Sequence, residues 1–235
     1  ANSEAVRPIA LPNGKSIYSG GGTVLSPPLI QAHIDSDYAH LVWQRDLKPL
    51  HMTHSTFAPP LPAALVQNVA TGYDSDGEEI KGKYHIYPEQ APAGLWTTPT
   101  DFAQFILAVQ HSLKNDGTGI LRDTLARKML AVIPGSDGAA TGFAIRERGG
   151  EKYFSHGGSN EGFKSHYYGS FSAGRGAVVM INSDQYDIIP EIISSIATVY
   201  NWKDCYQPTI KKLALPPDSL LQRYTGTYQM KRPEL

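Results

Sequence analysis

Two glycine-rich runs each begin with a side chain that can transfer a proton. They are Tyr-Ser-Gly-Gly-Gly at residues 18–22 and His-Gly-Gly-Ser-Asn at residues 156–160. Consecutive glycines let a backbone approach another group closely or adopt positive φ angles, and we predict such a conformation for residues 20–22. An imidazole such as that of His156 exchanges a proton near neutral pH, whereas a phenol such as that of Tyr18 needs a nearby cation to act as a base.

None of the serines stands in a recognisable nucleophile motif. A serine that attacks an acyl carbon needs a base within hydrogen-bond reach. Ser-x-x-Lys supplies the serine with a nearby lysine, whereas Gly-x-Ser-x-Gly presents the serine to a base from elsewhere in the chain. Neither motif occurs in the 235 residues, and Ser112-Leu113-Lys114 has the wrong spacing. The sequence therefore contains candidate proton-transfer groups without the nucleophile that they would serve.

Other classes of site find little support in the sequence. His51-x-x-His54 has the short spacing of a metal pair, but no third ligand follows it, and we predict no metal and no cofactor. The single cysteine, Cys205, excludes an internal disulfide. A formal net charge of −1 argues against a nucleic acid as partner, and no apolar run is long enough to span a membrane.

The first half of the sequence predicts short helices separated by a long irregular region. Ser26-Pro27 begins one helix, and a second covers residues 37–47 before Lys48-Pro49 ends it. Residues 53–92 are rich in proline and glycine and predict a long functional loop, with at most a small hairpin near residues 73–77.

A well-marked helix start follows that loop. Thr98 is predicted to cap the helix, with Pro99 at its first position and Asp101 completing a capping box. A further helix is predicted over residues 122–132.

After Pro134 the apolar pattern changes to a period of two. Strands are predicted over residues 142–148, 151–155, 163–168 and 177–182, with Gly149-Gly150 as the turn between the first two. A closing helix over residues 188–200 carries one apolar face, which consists of Ile189, Ile192, Ile193, Ile196 and Val199. We therefore predict an α+β fold in which a helical region precedes an antiparallel sheet covered by a C-terminal helix.

The same patterns suggest a division of the chain. Residues 1–133 form the helical and loop-rich region, and residues 134–207 form the sheet with its closing helix. Residues 208–235 are interpreted as a linker and the start of a following domain, because Tyr-Thr-Gly-Thr-Tyr at residues 224–228 alternates in the manner of a strand.

Four segments, taken in order, resemble motifs of a known superfamily. They lie at residues 18–22, 47–57, 93–102 and 156–163. They are similar to the Tyr-x-Asn motif, a Pro-Leu-Gly-Met helix end, a Gly-Gly-Leu-x-Ser-Thr-Pro-x-Asp helix start and the Lys-Thr-Gly or His-x-Gly strand. These belong to the serine β-lactamase-like, penicillin-binding-protein superfamily, in its branch of class C β-lactamases, D-aminopeptidases and esterases. The resemblance extends over about residues 10–205 and implies a β-lactamase/transpeptidase-like fold.

The resemblance also implies roles for individual residues. Tyr18 would share the base role with the lysine of Ser-x-x-Lys, and His156 would contact the tyrosine oxygen or the substrate. The backbone N–H of Ser159 would be one oxyanion-hole donor. Substrate-binding positions would be Gly20, Gly157, Gly158 and Asn160. Tyr18 and His156 are therefore expected in one cleft.

The function implied is acyl-enzyme hydrolysis of a peptide, amide or ester. The nucleophile would lie on an N-terminal segment that the sequence lacks, possibly a second chain, so the chain alone is expected to be inactive. One alternative is a non-catalytic fragment or binding module that keeps the fold. Another is a β-lactamase or penicillin-binding carboxypeptidase, which is less favoured because Gly20 replaces the usual asparagine. Members of the family are typically periplasmic or extracellular.

Overall fold

The computed structural model describes residues 7–11, 16–34, 36–117, 119–206 and 214–229. Its first elements are short helices: α1 (Gly20–Val24), α2 (Ser26–His33) and α3 (Tyr38–Val42). Helix α3 continues into a π-helical turn, Trp43–Leu47, which ends just before Lys48 as the sequence predicts. The expectation for residues 20–22 was wrong, because these glycines form the first turn of α1 and make no irregular or positive-φ passage.

The long segment between residues 53 and 92 is mostly irregular, as predicted. Two helical turns interrupt it, α4 (Ala63–Val66) and α5 (Gln90–Ala93). Near residue 73 the backbone makes a tight turn, in which Asp74 Oδ1 accepts the N–H groups of Asp76 and Glu78 at 2.9 Å each. A single bridge joins Tyr73 to Glu79, so the hairpin suggested there is reduced to a turn.

Helix α6 (Pro99–Lys114) begins where the sequence predicts, with Thr98 Oγ1 accepting the N–H of Asp101 at 3.1 Å. The predicted capping box was wrong. The carboxylate of Asp101 is 5% exposed, and its Oδ2 accepts the backbone N–H of His54 and the hydroxyl of Ser55, each at 2.8 Å. Asp101 therefore ties the loop after the π-helical turn to the start of α6. Helix α7 (Asp123–Met129) follows, shorter than predicted.

Four antiparallel strands then form one sheet in the order of the sequence. They are β1 (Ala144–Arg148), β2 (Glu151–Asn160), β3 (Phe163–Ser170) and β4 (Gly176–Ile181). Gly149 and Gly150 both have positive φ, which explains why glycines make the predicted turn between β1 and β2. Strand β2 continues to Asn160, five residues beyond its predicted end.

The sheet is covered on both faces. Phe154 of β2 is fully buried in a core with α6, α7 and β1, whose buried members are Ile106, Val109, Leu113, Ala126, Leu130, Phe143 and Ile145. Tyr153 points to the opposite face, where it packs with Ala197 of α8 (Ile188–Val199) and with Trp202. The C-terminal helix covers one face as predicted, and α6, placed by the sequence in the helical region, covers the other.

Two expectations about the C-terminal part need correction. Ile189 is buried and Ile192, Ile193 and Ile196 are partly buried, but Val199 is 73% exposed because it lies at the end of α8, beyond the sheet. The alternating segment at residues 224–228 forms no strand in the described structure, and its first residue ends a 3₁₀ turn (Gln222–Tyr224) that follows α9 (Asp218–Leu221). Residues 207–213 and 230–235 lie outside the described part of the chain. Among the described helices, none is long and apolar enough to cross a membrane.

Candidate active site

The second half of β2 has a free edge. Pairing between β1 and β2 ends at Ala144 and Ser155, whereas pairing between β2 and β3 continues to Asn160 and Phe163. Within the described part of the chain, no strand pairs with residues 156–160 on the side of β1. This edge consists of backbone groups that another extended chain can bind.

Tyr18 and His156 meet at the start of this edge. Their ring centroids are 5.9 Å apart and the rings are inclined by 37°. Helix α1 fixes the backbone just after Tyr18, because the hydroxyl of its N-cap residue Ser19 accepts the N–H of Gly22 at 2.9 Å. The Tyr18 side chain is 84% exposed, so its hydroxyl is open to a ligand.

The His156 ring has a defined tautomer when it is neutral. Its Nδ1 lies 2.7 Å from the carbonyl oxygen of Gly157, and a carbonyl can only accept a hydrogen bond. Nδ1–H is therefore the donor, which leaves Nε2 as the acceptor. A neutral His156 can thus take a proton on Nε2 while its orientation is held by the backbone.

The structure shows which side chains lie beside the two glycines after His156, and the sequence did not indicate them. A Cβ on Gly158 would lie 2.5 Å from Ser165 Oγ, and a Cβ on Gly157 would lie 3.1 Å from His166 Nδ1. Side chains of β3 therefore lie beside both glycines, and Ser165 would have to rotate to admit a Cβ at Gly158. At Gly20, by contrast, a Cβ would meet nothing within 4 Å.

Ser159 and Asn160 complete the strand. Ser159 is exposed on β2 opposite Lys164. The side-chain amide Nδ2 of Asn160 donates to the carbonyl of Ala93 at 3.0 Å, so at least part of its hydrogen-bonding capacity is used within the protein. Ala93 ends α5, and α5 packs against α1, the helix that follows Tyr18. The predicted site residues are thus brought together along one edge, from Tyr18 and His156 to Asn160.

No pattern in the sequence indicated the groups that hold the turn between β2 and β3. Asp184, just after β4, accepts the N–H of Gly162 at 3.0 Å and pairs with the ammonium of Lys164. The ammonium of Lys164 also donates to the carbonyl of Asn160 at 2.9 Å. These residues come from β2, β3 and the segment after β4, and no local spacing in the sequence links Asp184 to Asn160.

The paired histidines at 51 and 54 do not form a metal centre in the described structure. His54 Nδ1 lies 3.7 Å from the Asp101 carboxylate, and His51 adopts a positive φ of 55° at the end of the turn. The described residues contain no group of three or more histidine, cysteine, aspartate or glutamate side chains able to hold a metal ion.

His166 lies behind the site, opposite Gly157 on β3. Burial lowers the pKa of His166, and the nearby His156 lowers that pKa further. Its Nε2 is buried and has no partner among the described residues, whereas its Nδ1 lies 3.3 Å from the hydroxyl of Tyr186. A proton on Nε2 would therefore add an unpaired buried charge.

We expect acid to destabilise the fold through His166. Its folded pKa lies below the unfolded value of 6.5, so the unfolded chain binds the proton more readily and stability falls as the pH drops below about 6.5. His166→Gln should make the urea midpoint less dependent on pH between about 7.5 and 5.5. The matched control is His40→Gln, at an exposed position on α3. Equal pH dependence in the wild type and His166→Gln would contradict this expectation.

Solved structures share this architecture. A penicillin-binding protein homologue from Pyrococcus abyssi superposes with a TM-score of 0.67 at 22% identity, covering 84% of this chain and 45% of its own. The D-amino acid amidase from Ochrobactrum anthropi SV3 superposes with a TM-score of 0.59 at 21% identity, covering 79% of this chain and 62% of the amidase. A D-stereospecific amidohydrolase from Streptomyces sp. superposes with a TM-score of 0.64 at 19% identity, covering 77% of this chain and 54% of the amidohydrolase. The chain thus spans about half the length of these proteins.

A family model gives the assignment. None of the curated proteins matches the chain. The model described as Beta-lactamase matches residues 2–188, which include both the Tyr18 run and the β2 edge. Because this match covers well over half of the sequence, the chain belongs to the Beta-lactamase family, within the serine β-lactamase and penicillin-binding-protein superfamily.

Proposed function

We propose that this chain contributes the larger part of the active site of a serine hydrolase. The enzyme acts on an amide, peptide or ester through an acyl-enzyme. The observation that carries the proposal is the meeting of Tyr18 and His156, with ring centroids 5.9 Å apart, at the start of an unpaired strand edge. Proton-transfer groups beside an open backbone edge meet two needs of acyl transfer, which are a base and a place to hold the substrate.

The serine would come from a segment outside these 235 residues. Its hydroxyl would attack the substrate carbonyl while Tyr18, with a lysine of that segment, takes the proton. The backbone N–H of Ser159 would stabilise the oxyanion, and expulsion of the amine or alcohol would leave an acyl-enzyme. Water would then hydrolyse the ester and restore the serine. His156, holding Nε2 as an acceptor, would orient the Tyr18 hydroxyl or a substrate N–H.

The outer edge of β4 supports the proposal that a further polypeptide segment pairs with the sheet. β4 packs against α6 on one face and α8 on the other, and its sequence Gly-Ala-Val-Val-Met-Ile carries no charge. Such a strand is typical of the middle of a sheet, yet no described strand pairs with its second edge. We propose that the segment carrying the serine, on the same or a second chain, supplies the strand that pairs here.

Amide or ester chemistry is favoured over β-lactam hydrolysis. Gly20 stands where β-lactamases present an asparagine amide to their substrate, and the position is open in the structure. Two of the solved structures with this fold are a D-amino acid amidase and a D-stereospecific amidohydrolase. The periplasmic or extracellular location stays a prediction from the family resemblance.

A covalent serine probe tests this proposal. We expect a fluorophosphonate to leave this chain unlabelled but to label, once, a serine of a Ser-x-x-Lys sequence in the complete gene product or on a co-purifying polypeptide. Intact-mass and peptide-mass measurements locate the label. Labelling of this chain alone would contradict the missing-nucleophile proposal. An unlabelled complete product that still binds ligands would favour a non-catalytic binding module.

A further inference from the structure

The unpaired edge of β2 lies between two contacts with the segments that cover it, and its path is called the cleft. Side chains alternate along a strand, so His156 and Asn160 lie on the same face, four residues apart, and about 13 Å separates them at roughly 3.3 Å per residue. Tyr18 lies over the first end and Ala93 over the second. The contact of α5 with α1 joins the two covering segments.

The second end is firmly closed. Asn160 Nδ2 reaches the Ala93 carbonyl at 3.0 Å, and the Lys164 ammonium holds the Asn160 carbonyl at 2.9 Å. Lys164 and Asp184 form an ion pair with side-chain exposures of only 15% and 22%. Charge-assisted hydrogen bonds of this kind resist opening.

This closed end lies next to the proposed oxyanion donor. The N–H of Ser159 is one residue from Asn160, so about 3.3 Å of strand separates the position of the reacting carbonyl from the closed end. On the other side of Ser159, the strand runs three residues to His156, which is a length of roughly 10 Å. The cleft is therefore strongly asymmetric about the bond that would be cleaved.

We propose that the Asn160–Ala93 contact is an end wall that admits only a single residue-sized group on one side of the cleaved bond, and that Lys164 and Asp184 hold this wall in position. The inference rests on the proposed function and adds to it the substrate class, namely amides, esters or peptides cleaved next to one end. Asn160 determines specificity, and Lys164 and Asp184 are positioning residues.

The test compares short and extended substrates in the complete enzyme. The short substrate is an amino-acid amide, and two series lengthen it by three residues, one on the acyl side and one on the leaving-group side. We expect Asn160→Ala and Lys164→Met each to raise the kcat/KM ratio of extended to short substrate by about 10-fold or more for one series. Lys152→Met, an exposed lysine elsewhere on β2, should leave both ratios unchanged.

The ratio of kcat/KM for the extended substrate to kcat/KM for the short substrate distinguishes the possible outcomes. It does not depend on the fraction of enzyme that is active, so partial unfolding of a variant cannot imitate the effect, and Asn160→Ala serves if Lys164→Met does not fold. If the kcat/KM ratios change by less than about twofold in both series, the proposal of an end wall is wrong, whereas the proposed hydrolase function is unaffected. Failure of the complete wild type to cleave even the amino-acid amide would overturn the proposed function, and the wall with it.

Discussion

Replacing Tyr18 with phenylalanine is expected to lower acylation by about 10²–10⁴-fold in the complete enzyme, the usual contribution of a general base. The substitution removes one oxygen and keeps the ring that faces His156 at 5.9 Å. Substrate affinity should change little, because the proposed task of the hydroxyl is in the transition state. Single-turnover kinetics separates the two quantities, with the acylation rate and the substrate dissociation constant fitted independently.

Tyr200→Phe is the matched control for this experiment. Tyr200 is 69% exposed at the end of α8, on the face of the sheet away from α6, and loses the same atom. Its acylation rate should equal that of the wild type. A Tyr18→Phe enzyme with unchanged turnover would leave the family membership in place but remove Tyr18 from the mechanism.

Replacing Phe154 with alanine is expected to destabilise the fold by about 3–5 kcal/mol, the usual cost of truncating a buried aromatic side chain. Phe154 is 0% exposed, and its ring packs on Phe143 and Phe171 at centroid distances of 5.6 and 6.1 Å. The Phe154 ring covers Gly169 of β3, and a Cβ added to Gly169 would lie 2.3 Å from that ring. The cavity therefore opens between the sheet and α6, directly opposite a glycine that has no side chain to fill it.

Urea unfolding followed by circular dichroism measures this loss. A loss of about 3–5 kcal/mol is a large part of the 5–15 kcal/mol typical of a folded domain. Tyr200→Ala truncates an exposed ring and should cost less than about 0.5 kcal/mol. Equal midpoints for the two variants would show that the core between the sheet and α6 does not carry the stability assigned to it.

Local signals in the sequence were sufficient for most elements. Thr98 and Pro99 mark the start of α6 because capping and a fixed proline φ act within one turn of chain. Gly149 and Gly150 mark the turn between β1 and β2 because few other residues adopt positive φ there. The order of the motifs around Tyr18 and His156 also led to the family, which the match over residues 2–188 shows.

Local signals failed where a group had two possible partners. The spacing of Asp101 fits a capping box, but a buried carboxylate takes whichever donors the fold brings to it, and these are the His54 N–H and the Ser55 hydroxyl. The three glycines at 20–22 were expected to approach another group closely or to adopt positive φ, yet the Ser19 hydroxyl accepts the N–H of Gly22 and caps them as a helical turn. In both cases a hydrogen-bond partner decided the conformation.

The sequence by itself determined which chemistry is available, because the proton-transfer side chains, the missing Ser-x-x-Lys and the order of the motifs are properties of the chain alone. Only the tertiary structure decided how the site is bounded. The free edge exists because pairing between β1 and β2 ends at Ser155, and at its far end Asn160 donates to the Ala93 carbonyl. Beside this contact, the Lys164–Asp184 pair joins β3 to the segment after β4. Such contacts depend on register and packing between distant segments, and residue spacing carries no information about them.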